Sequence, residues 1–463
     1  MSAPTVEHTP IPGMVVVRLD VREDARGWFK ENWQRERMVA LGLPDFAPVQ
    51  NNISFNATSG ATRGIHAEPW DKFVSVATGR VFGAWVDLRE GDSFGTVFTL
   101  EIAPGVAVFV PRGVGNAFQT LEDATSYTYL VNDHWRPGTT YPALAVDDPT
   151  LAIPWPIPLA DAELSDKDRH QNPHLADVRP MAARRTIVLG GNGQVGRALA
   201  AALPQAEVVG RDRLDLTDTE ALRAWPWADY DTIINAAAWT AVDAAEEERA
   251  RAWAANATGP AVLAGIAREH RLTLVHYSTD YVFDGSREVH REDEPVAPLG
   301  VYGQSKAAGE LAVALAPRHY VLRASWVIGD GPNFVRTMAS LADRGSSPSV
   351  VDDQHGRLTF ADELARATVH LLVTAAPFGT YHVSNGGPAT TWAGIAREVF
   401  LLRGRDPGDV TGISTEEYVA GKAAAARPRH SVFDLSKLEA TGFTPTEART
   451  ALASYTATPS DRA

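Results

Sequence analysis

The chain has 463 residues, too many for one ordinary core, and 44% of them are apolar, enough to fill two or three. A formal charge of −14 argues against bulk binding to nucleic acid or to an anionic membrane; an anionic small molecule would need local Arg and Lys or helix N-termini. Cysteine is absent, which excludes disulfides, thiol catalysis and Cys-based metal sites. There is no run of 18 apolar residues, and "MSAPTVEHTPIPG" lacks a basic n-region ahead of an apolar block. A cytoplasmic protein without a span or signal peptide is expected.

Up to residue 170, short β-rich runs recur between Gly and Pro turn signals: "MVVVRLDV", "KFVSVATGRVFGAWVDLR", "TVFTLEI", "VAVFVP" and "SYTYLVND". Many such strands predict an antiparallel sandwich or barrel. Within this region "ATRGIHAEPWDK" brings Arg63, His66, Glu68, Asp71 and Lys72 together. A metal-binding barrel of the cupin type needs His-x-His, a nearby Glu and a later His. This stretch has one His, and "PRGVGNAF" carries Asn116 where the later ligand is wanted. The stretch therefore argues against a metal in the barrel and leaves His66 as either a catalytic base or a buried packing histidine.

The polar, aperiodic "RHQNPHLADVRPMAARR" separates two textures and reads as a linker, 173–184, between domains at 1–172 and 185–463. Beyond it, apolar strands alternate with Ala-rich helical stretches: "RTIVLGG" with "QVGRALAAALP", then "YDTIINAAA" with "ARAWAANATGPAVLAGIAREH". That alternation predicts an α/β, doubly wound parallel sheet of Rossmann type. In "TIVLGGNGQVGRALAAAL", Gly191, Gly193 and Gly196 satisfy G-x-G-x-x-G, and Gly190, Gly193 and Gly196 satisfy G-x-x-G-x-x-G. Placed after a strand and opening a helix, the glycines let the backbone approach a pyrophosphate at the helix N-terminus. A loop made for packing only is the plain alternative. At the end of the second strand, "EVVGRDRLDL" offers Arg211 for a 2′-phosphate and Asp212 for a free 2′-hydroxyl; the reading favours NADPH, with NADH as the alternative. Asp215 and Leu216 are expected beside the adenine or, equally, in a surface turn.

"YGQSK" puts Tyr302 and Lys306 one helical turn apart, and "HYSTDYVFDG" supplies Thr279 on an apolar strand upstream. A neighbouring ammonium favours phenolate, which otherwise forms only near pH ~10. Tyr302 would protonate a carbonyl oxygen as hydride arrives, while Thr279 shares that oxygen and Lys306 holds the nicotinamide ribose.

The stretches "GGNGQVG", "NAAAWTAVDAAE", "HYSTDYVF", "VYGQSK", "RASWVIGDGPNFV", "VDDQHGRLTFADELA", "GTYHVSNGG" and "ARPRHS" cover nearly all of 186–435. On them the second half resembles dTDP-4-dehydrorhamnose reductase, an extended short-chain dehydrogenase/reductase with a smaller substrate-binding lobe. The resemblance implies a catalytic set of Thr279, Tyr302 and Lys306, with Trp326 and Asn333 on the substrate side. It implies cofactor contacts from Gly190, Gly191, Gly193, Gln194, Val195, Gly196, Arg211, Asp215, Leu216, Ala236, Ala237, Ala238, Tyr302 and Lys306. A dehydratase of the same superfamily would carry Asp-Glu after the threonine; here Asp280 is followed by Tyr281, which favours reduction. Some members of the family bind magnesium at a dimer interface through a glutamate just after the glycine loop; Ala198 stands there, so that site is doubtful.

The stretches "DARGWFKENW", "PVQNNISFN", "TRGIH", "VDLREGDSFG", "VFVPRGVGNAFQTL", "YTYLVND" and "LSDKD" make the first half similar to dTDP-4-dehydrorhamnose 3,5-epimerase over about 11–170. That family is a metal-free, cupin-like jelly-roll barrel, normally a homodimer. The resemblance implies a His66–Asp168 dyad, Lys72 for an enolate, Tyr129 as the acid, and nucleotide contacts from Arg26, Glu31, Gln50, Asn52 and Arg63. Two positions depart from the family: Asn116 where a histidine is usual, and Gly83 where an aspartate is usual. The expectation is a bifunctional enzyme that epimerises a dTDP-4-keto-6-deoxy sugar at C3 and C5, then reduces its ketone. The alternatives are a mono-epimerase barrel making another deoxysugar, or a non-catalytic barrel that binds nucleotide or dimerises.

Overall fold

The computed structural model describes residues 4–135 and 141–457, in two compact units, Met1–Ala183 and Arg184–Ala463.

The first unit is built from antiparallel strands: β1 (Thr5–His8), β2 (Val15–Arg18), β3 (Val21–Asp24), β4 (Gly27–Lys30), β5 (Gln50–Asn56), β6 (Thr62–His66), β7 (Lys72–Thr78), β8 (Val81–Asp87), β9 (Val97–Ile102), β10 (Val106–Val110), β11 (Val114–Thr120) and β12 (Thr125–Val131). One sheet runs β1-β2-β10-β7-β12-β5 and the other β6-β11-β8-β9, while β3 and β4 form a separate hairpin. The run "KFVSVATGRVFGAWVDLR" divides at Gly79, which turns with a positive φ of 78°, so β7 and β8 enter different sheets. Between the sheets lies an apolar core of Val74, Val76, Trp85, Val108, Phe118 and Tyr127. The outer face of the smaller sheet packs Ile65, Ala67, Phe82 and Ala84 against Leu144 and Leu151.

The segment expected as a linker is bonded along most of its length to the barrel. Ala145 donates to the Pro173 carbonyl, Met181 to Leu88 and Glu90 to Met181, at 2.7–3.0 Å. Leu175 and Val178 pack on the outer core. Its polar composition concealed this because backbone hydrogen bonds carry no side-chain signature.

The second unit is a parallel sheet in the order β14-β13-β15-β16-β17, extended by the strand Gly379–Val383; the labels denote β13 (Arg185–Leu189), β14 (Glu207–Val209), β15 (Tyr230–Asn235), β16 (Thr273–Thr279) and β17 (His319–Ala324). Helices Gln194–Ala202 and Ala361–Val373 cover one face through Leu199, Leu364 and Leu371. Helices Thr219–Ala224, Gly259–His270 and Val301–Val313 cover the other through Leu222, Leu263 and Val313. Both faces are buried, so β16 reads as the unbroken run "TLVHYST" with every residue inside. A smaller lobe gathers Val335, Met338, Phe360, Ala396, Val399, Phe400 and Leu452 around its own core. Among the described residues no helix is long and apolar enough to cross a membrane.

Candidate active sites

In the barrel, His66 ends β6 and Asp168 lies on the short helix Asp166–His170. Ser165 caps that helix: its hydroxyl accepts from the Asp168 amide at 3.1 Å. The carboxyl faces inward, with the residue 6% exposed, and its Oδ1 lies 2.9 Å from His66 Nε2. Asn172 Nδ2 donates to the same oxygen at 3.3 Å. Burial works to raise the Asp168 carboxyl, but the hydrogen bond and charge of His66, together with Ser165, hold it below the usual carboxylate range.

Lys72 opens β7 and is buried; it forms an ion pair with Glu68, and its Nζ reaches the His66 carbonyl at 3.4 Å. Burial opposes charge on Glu68, yet Lys72 and then His66 keep that carboxyl below its ordinary value. Tyr129, half-buried on β12, is pushed above the usual phenol value by burial and then by the Glu68 charge, against the pull of Arg63. These interactions gather His66, Asp168, Lys72, Glu68, Arg63 and Tyr129. Glu68 is the member that sequence reasoning left without a role; its signal was a carboxylate four positions ahead of a lysine on a buried strand.

Asn52 faces Tyr129 across the β5–β12 ladder and accepts from Gln50 Nε2 at 2.8 Å. Arg63 Nε donates to Asn56 at 3.2 Å. Arg26 is paired with Asp24 at 2.5 Å and Glu31 with Arg37 at 2.8 Å. Asp71 is structural: it accepts from the Arg112 amide at 2.8 Å and from Asn132 Nδ2 at 2.9 Å.

In the second unit, the glycine loop joins β13 to the helix Gln194–Ala202. Gly190 has a φ of 83°, and a Cβ there would lie 2.6 Å from the Ala237 nitrogen. A Cβ on Gly196 would lie 2.2 Å from the Gly190 carbonyl oxygen. Strand, loop and helix are thus in backbone contact, with Ala236 bonded to Leu189 and Ala237 to the Asn235 side chain. Gln194 Oε1 is buried with no hydrogen-bond partner beside this loop. A cradle that only glycine fits, a helix N-terminus and an orphaned acceptor suit a dinucleotide. Arg211 is exposed and pairs with Asp215 at 2.9 Å; Asp215 also accepts from Thr217 N and Oγ1 in a turn. Leu216 is buried in the core, against Gly259. Ala198 is a buried helix residue.

Thr279 ends β16, and the helix Val301–Val313 carries Tyr302 and Lys306. Lys306 Nζ donates to the Tyr277 carbonyl at 2.6 Å, and burial brings the ammonium down to about 8 against the pull of Glu310. The expected lowering of the Tyr302 phenol is not present. Burial pushes it up to about 12, a hydrogen bond with Thr279 acts in the other direction, and Asp280 adds to the rise. Asp280, which the sequence marked only as the residue after the threonine, is 2% exposed and accepts from Thr279 Oγ1 at 3.0 Å and Ser431 Oγ at 2.5 Å. Burial lifts its carboxyl to about 6.

Trp326 holds a positive φ of 47° and stacks on Trp392 at 4.0 Å; a Cβ on Gly356 would meet its indole at 2.7 Å. Asn333 caps the helix Phe334–Asp343 through Arg336 N at 3.0 Å and donates to the Gly329 carbonyl at 2.8 Å.

Fold and sites define an acid–base barrel joined to a nicotinamide-dependent reductase. The chain belongs to two families: residues 184–460 match the model described as RmlD substrate binding domain, and residues 8–177 match dTDP-4-dehydrorhamnose 3,5-epimerase. A Streptococcus pyogenes "Protein RmlC homolog" is 48% identical over 182 residues, 38% of this chain and 91% of that protein. A dTDP-4-dehydrorhamnose reductase of Streptomyces griseus is 41% identical over 282 residues, 58% of this chain and 91% of that one. The solved dTDP-4-dehydrorhamnose reductase of Bacillus anthracis in complex with NADP is 35% identical, with a TM-score of 0.54 over 59% of this chain and 98% of that one.

Proposed function

We propose that the chain catalyses two consecutive steps toward dTDP-L-rhamnose. The barrel epimerises dTDP-4-dehydro-6-deoxy-D-glucose at C3 and C5, and the second unit reduces the C4 ketone of the product with NADPH. The observation that carries this reading is the presence of two complete acid–base sites on one chain: His66–Asp168 with Lys72, Glu68 and Tyr129, and Thr279 with Tyr302 and Lys306.

Protons at C3 and C5 are acidified by the C4 ketone. His66 takes one onto a ring nitrogen; the C–H electron pair becomes the enolate, whose negative oxygen Lys72 stabilises. Asp168, held ionised, orients the imidazole and stabilises its cation. Tyr129 returns a proton to the opposite face, which inverts the centre. Gln50, Asn52 and Arg63 bind the nucleotide, with Arg26 and Glu31 as further contacts.

In the second unit Gly190, Gly191, Gly193, Gln194, Val195 and Gly196 hold the pyrophosphate, and Ala236, Ala237 and Ala238 face it. Arg211 takes the 2′-phosphate, exchanging Asp215 for it. Held there, with Lys306 toward its ribose, a reduced nicotinamide would supply the hydride that C4 accepts. Tyr302 gives its phenolic proton to the C4 oxygen, and Thr279 shares that oxygen. A phenol kept protonated by burial is the right form for the reducing direction.

We also propose a cytoplasmic homodimer through the barrel. Edge strand β5 exposes Ile53 and Phe55, and the separate β3–β4 hairpin exposes Phe29, apolar surfaces that a second copy covers.

The test supplies the dTDP-4-keto sugar in D₂O, first without and then with NADPH. Deuterium at both C3 and C5, followed by NADPH oxidation, is expected. His66→Ala abolishes exchange and spares reduction of pre-epimerised sugar; Tyr302→Phe does the converse. Label at neither carbon overturns the epimerase reading, and no NADPH oxidation with pre-epimerised sugar overturns the reductase reading.

A further inference from the structure

Four residues inside the barrel lock into one unit beside His66. Asn116 is the one half-buried position on β11, whose other residues are all buried. It lies opposite His66 on β6 and opposite Trp85 on β8, so the three side chains share a sheet face. Asn116 Oδ1 accepts two hydrogen bonds, from Trp85 Nε1 at 2.8 Å and from Tyr127 Oη at 3.0 Å. An indole nitrogen can only donate, so the amide oxygen must face it, and the orientation of the amide is fixed. Tyr127 commits its proton to the same oxygen. It is 1% exposed, stacks on Phe118 at 4.1 Å, and burial raises its phenol far above the usual range.

The indole in turn explains the glycine. A Cβ on Gly83 would lie 2.4 Å from Trp85 Cη2, so the ring occupies the space that a larger residue would need. Gly83 and Asn116, the two departures from the family pattern, are therefore one feature joined by Trp85. With Oδ1 occupied twice, Asn116 Nδ2 is left beside His66, and neither hydrogen bond of this amide uses it.

We propose that Asn116 is a specificity-determining residue of the barrel: its Nδ2–H donates to a hydroxyl oxygen of the bound hexose, next to the carbon that His66 deprotonates. The proposal rests on the epimerase reading above. A neutral amide neither takes up nor releases a proton near neutrality, so it orients the sugar without competing for proton transfer. That leaves His66 and Tyr129 as the proton-transferring pair and Tyr127 as a positioning residue acting through Asn116. The orientation so imposed sets the relative rates at C3 and C5.

Asn116→Asp tests it, because the carboxylate keeps the size and both accepted bonds but offers no donor. The expected result is a KM for the dTDP-4-keto sugar raised roughly 3- to 10-fold, since a single neutral hydrogen bond is lost. The C3-to-C5 deuterium ratio shifts by about twofold or more, a change that a merely structural role would not produce. Trp85→Phe removes one of the two anchors while keeping the ring, and shifts both quantities in the same direction by less. If Asn116→Asp does not fold, as judged by thermal melting, Trp85→Phe carries the test on the same two readings. KM and label ratio unchanged from wild type overturn the proposal. Wild-type protein that labels neither carbon overturns the epimerase reading itself, a result distinct from any difference between variants.

Discussion

Lys72 and Glu68 form a buried ion pair beneath the base of the barrel site, with side chains 4% and 18% exposed. Removing one partner leaves the other charged and desolvated, at a cost of about 3–5 kcal/mol. Glu68→Gln is therefore expected to lower the unfolding free energy of the barrel by about that amount. The double variant Glu68→Gln/Lys72→Met recovers most of the stability, because no unpaired charge remains. It does not recover solvent exchange, because the enolate has lost its cation. Urea unfolding and deuterium incorporation, run on the same three proteins, separate the two effects.

Asp168 acts through His66, so Asp168→Asn should leave the imidazole in place without its counter-charge. Exchange into the keto sugar is expected to fall by roughly 10²–10⁴, the usual contribution of a general base. Reduction of pre-epimerised sugar in the same preparation should stay at the wild-type rate. Equal loss in both assays would show that the substitution had damaged the fold rather than the dyad.

Asp280 makes the stability of the second unit depend on pH. Its carboxyl titrates at about 6 in the folded chain against 3.8 ordinarily, because burial disfavours the charge. Between those values the folded state holds a proton that the unfolded chain has released, so stability falls as pH rises through the window. The loss is complete above pH 6 and amounts to about 3 kcal/mol at most. Asp280→Asn lacks this titration. The stability of the variant relative to wild type should therefore climb from about pH 4 to about pH 6 and level off by about pH 7. Urea unfolding across that range reads it, with the barrel transition, common to both proteins, as the reference.

What could be read from the sequence was what is local along the chain. Gly190 to Gly196 sit in seven consecutive positions, and Tyr302 and Lys306 in one helical turn, so spacing alone showed their relation. The strand alternation of the second unit was equally plain, since its strands are buried on both faces and read as apolar runs. The role of Asn116 was not readable. It depends on Trp85, 31 positions earlier, and on Tyr127 from the other sheet, whose approach only the register fixes. The bonding of residues 173–183 was hidden for a different reason, because it runs through backbone groups that every sequence possesses. The state of Tyr302 also escaped. Lys306 is where the motif puts it, but its ammonium is turned to the Tyr277 carbonyl, and burial governs the phenol.

Gly196 offers the sharpest test of the dinucleotide cradle. A Cβ at this position would stand 2.2 Å from the Gly190 carbonyl oxygen and 2.8 Å from the Gly191 Cα. Both obstacles are backbone, so neither can rotate away, and Gly196→Ala must push the helix Gln194–Ala202 off the loop. Displacing that N-terminus moves the amides proposed to face the pyrophosphate, and even about 1.4 kcal/mol of lost binding is a tenfold weaker Kd. NADPH titration followed by its fluorescence is expected to show at least that loss. Gly265→Ala, on the helix Gly259–His270, is the matched control, because a Cβ there would meet nothing within 4 Å. Solvent exchange by the barrel should be unaltered in both variants. An unchanged Kd in Gly196→Ala would mean that the cofactor does not depend on this loop.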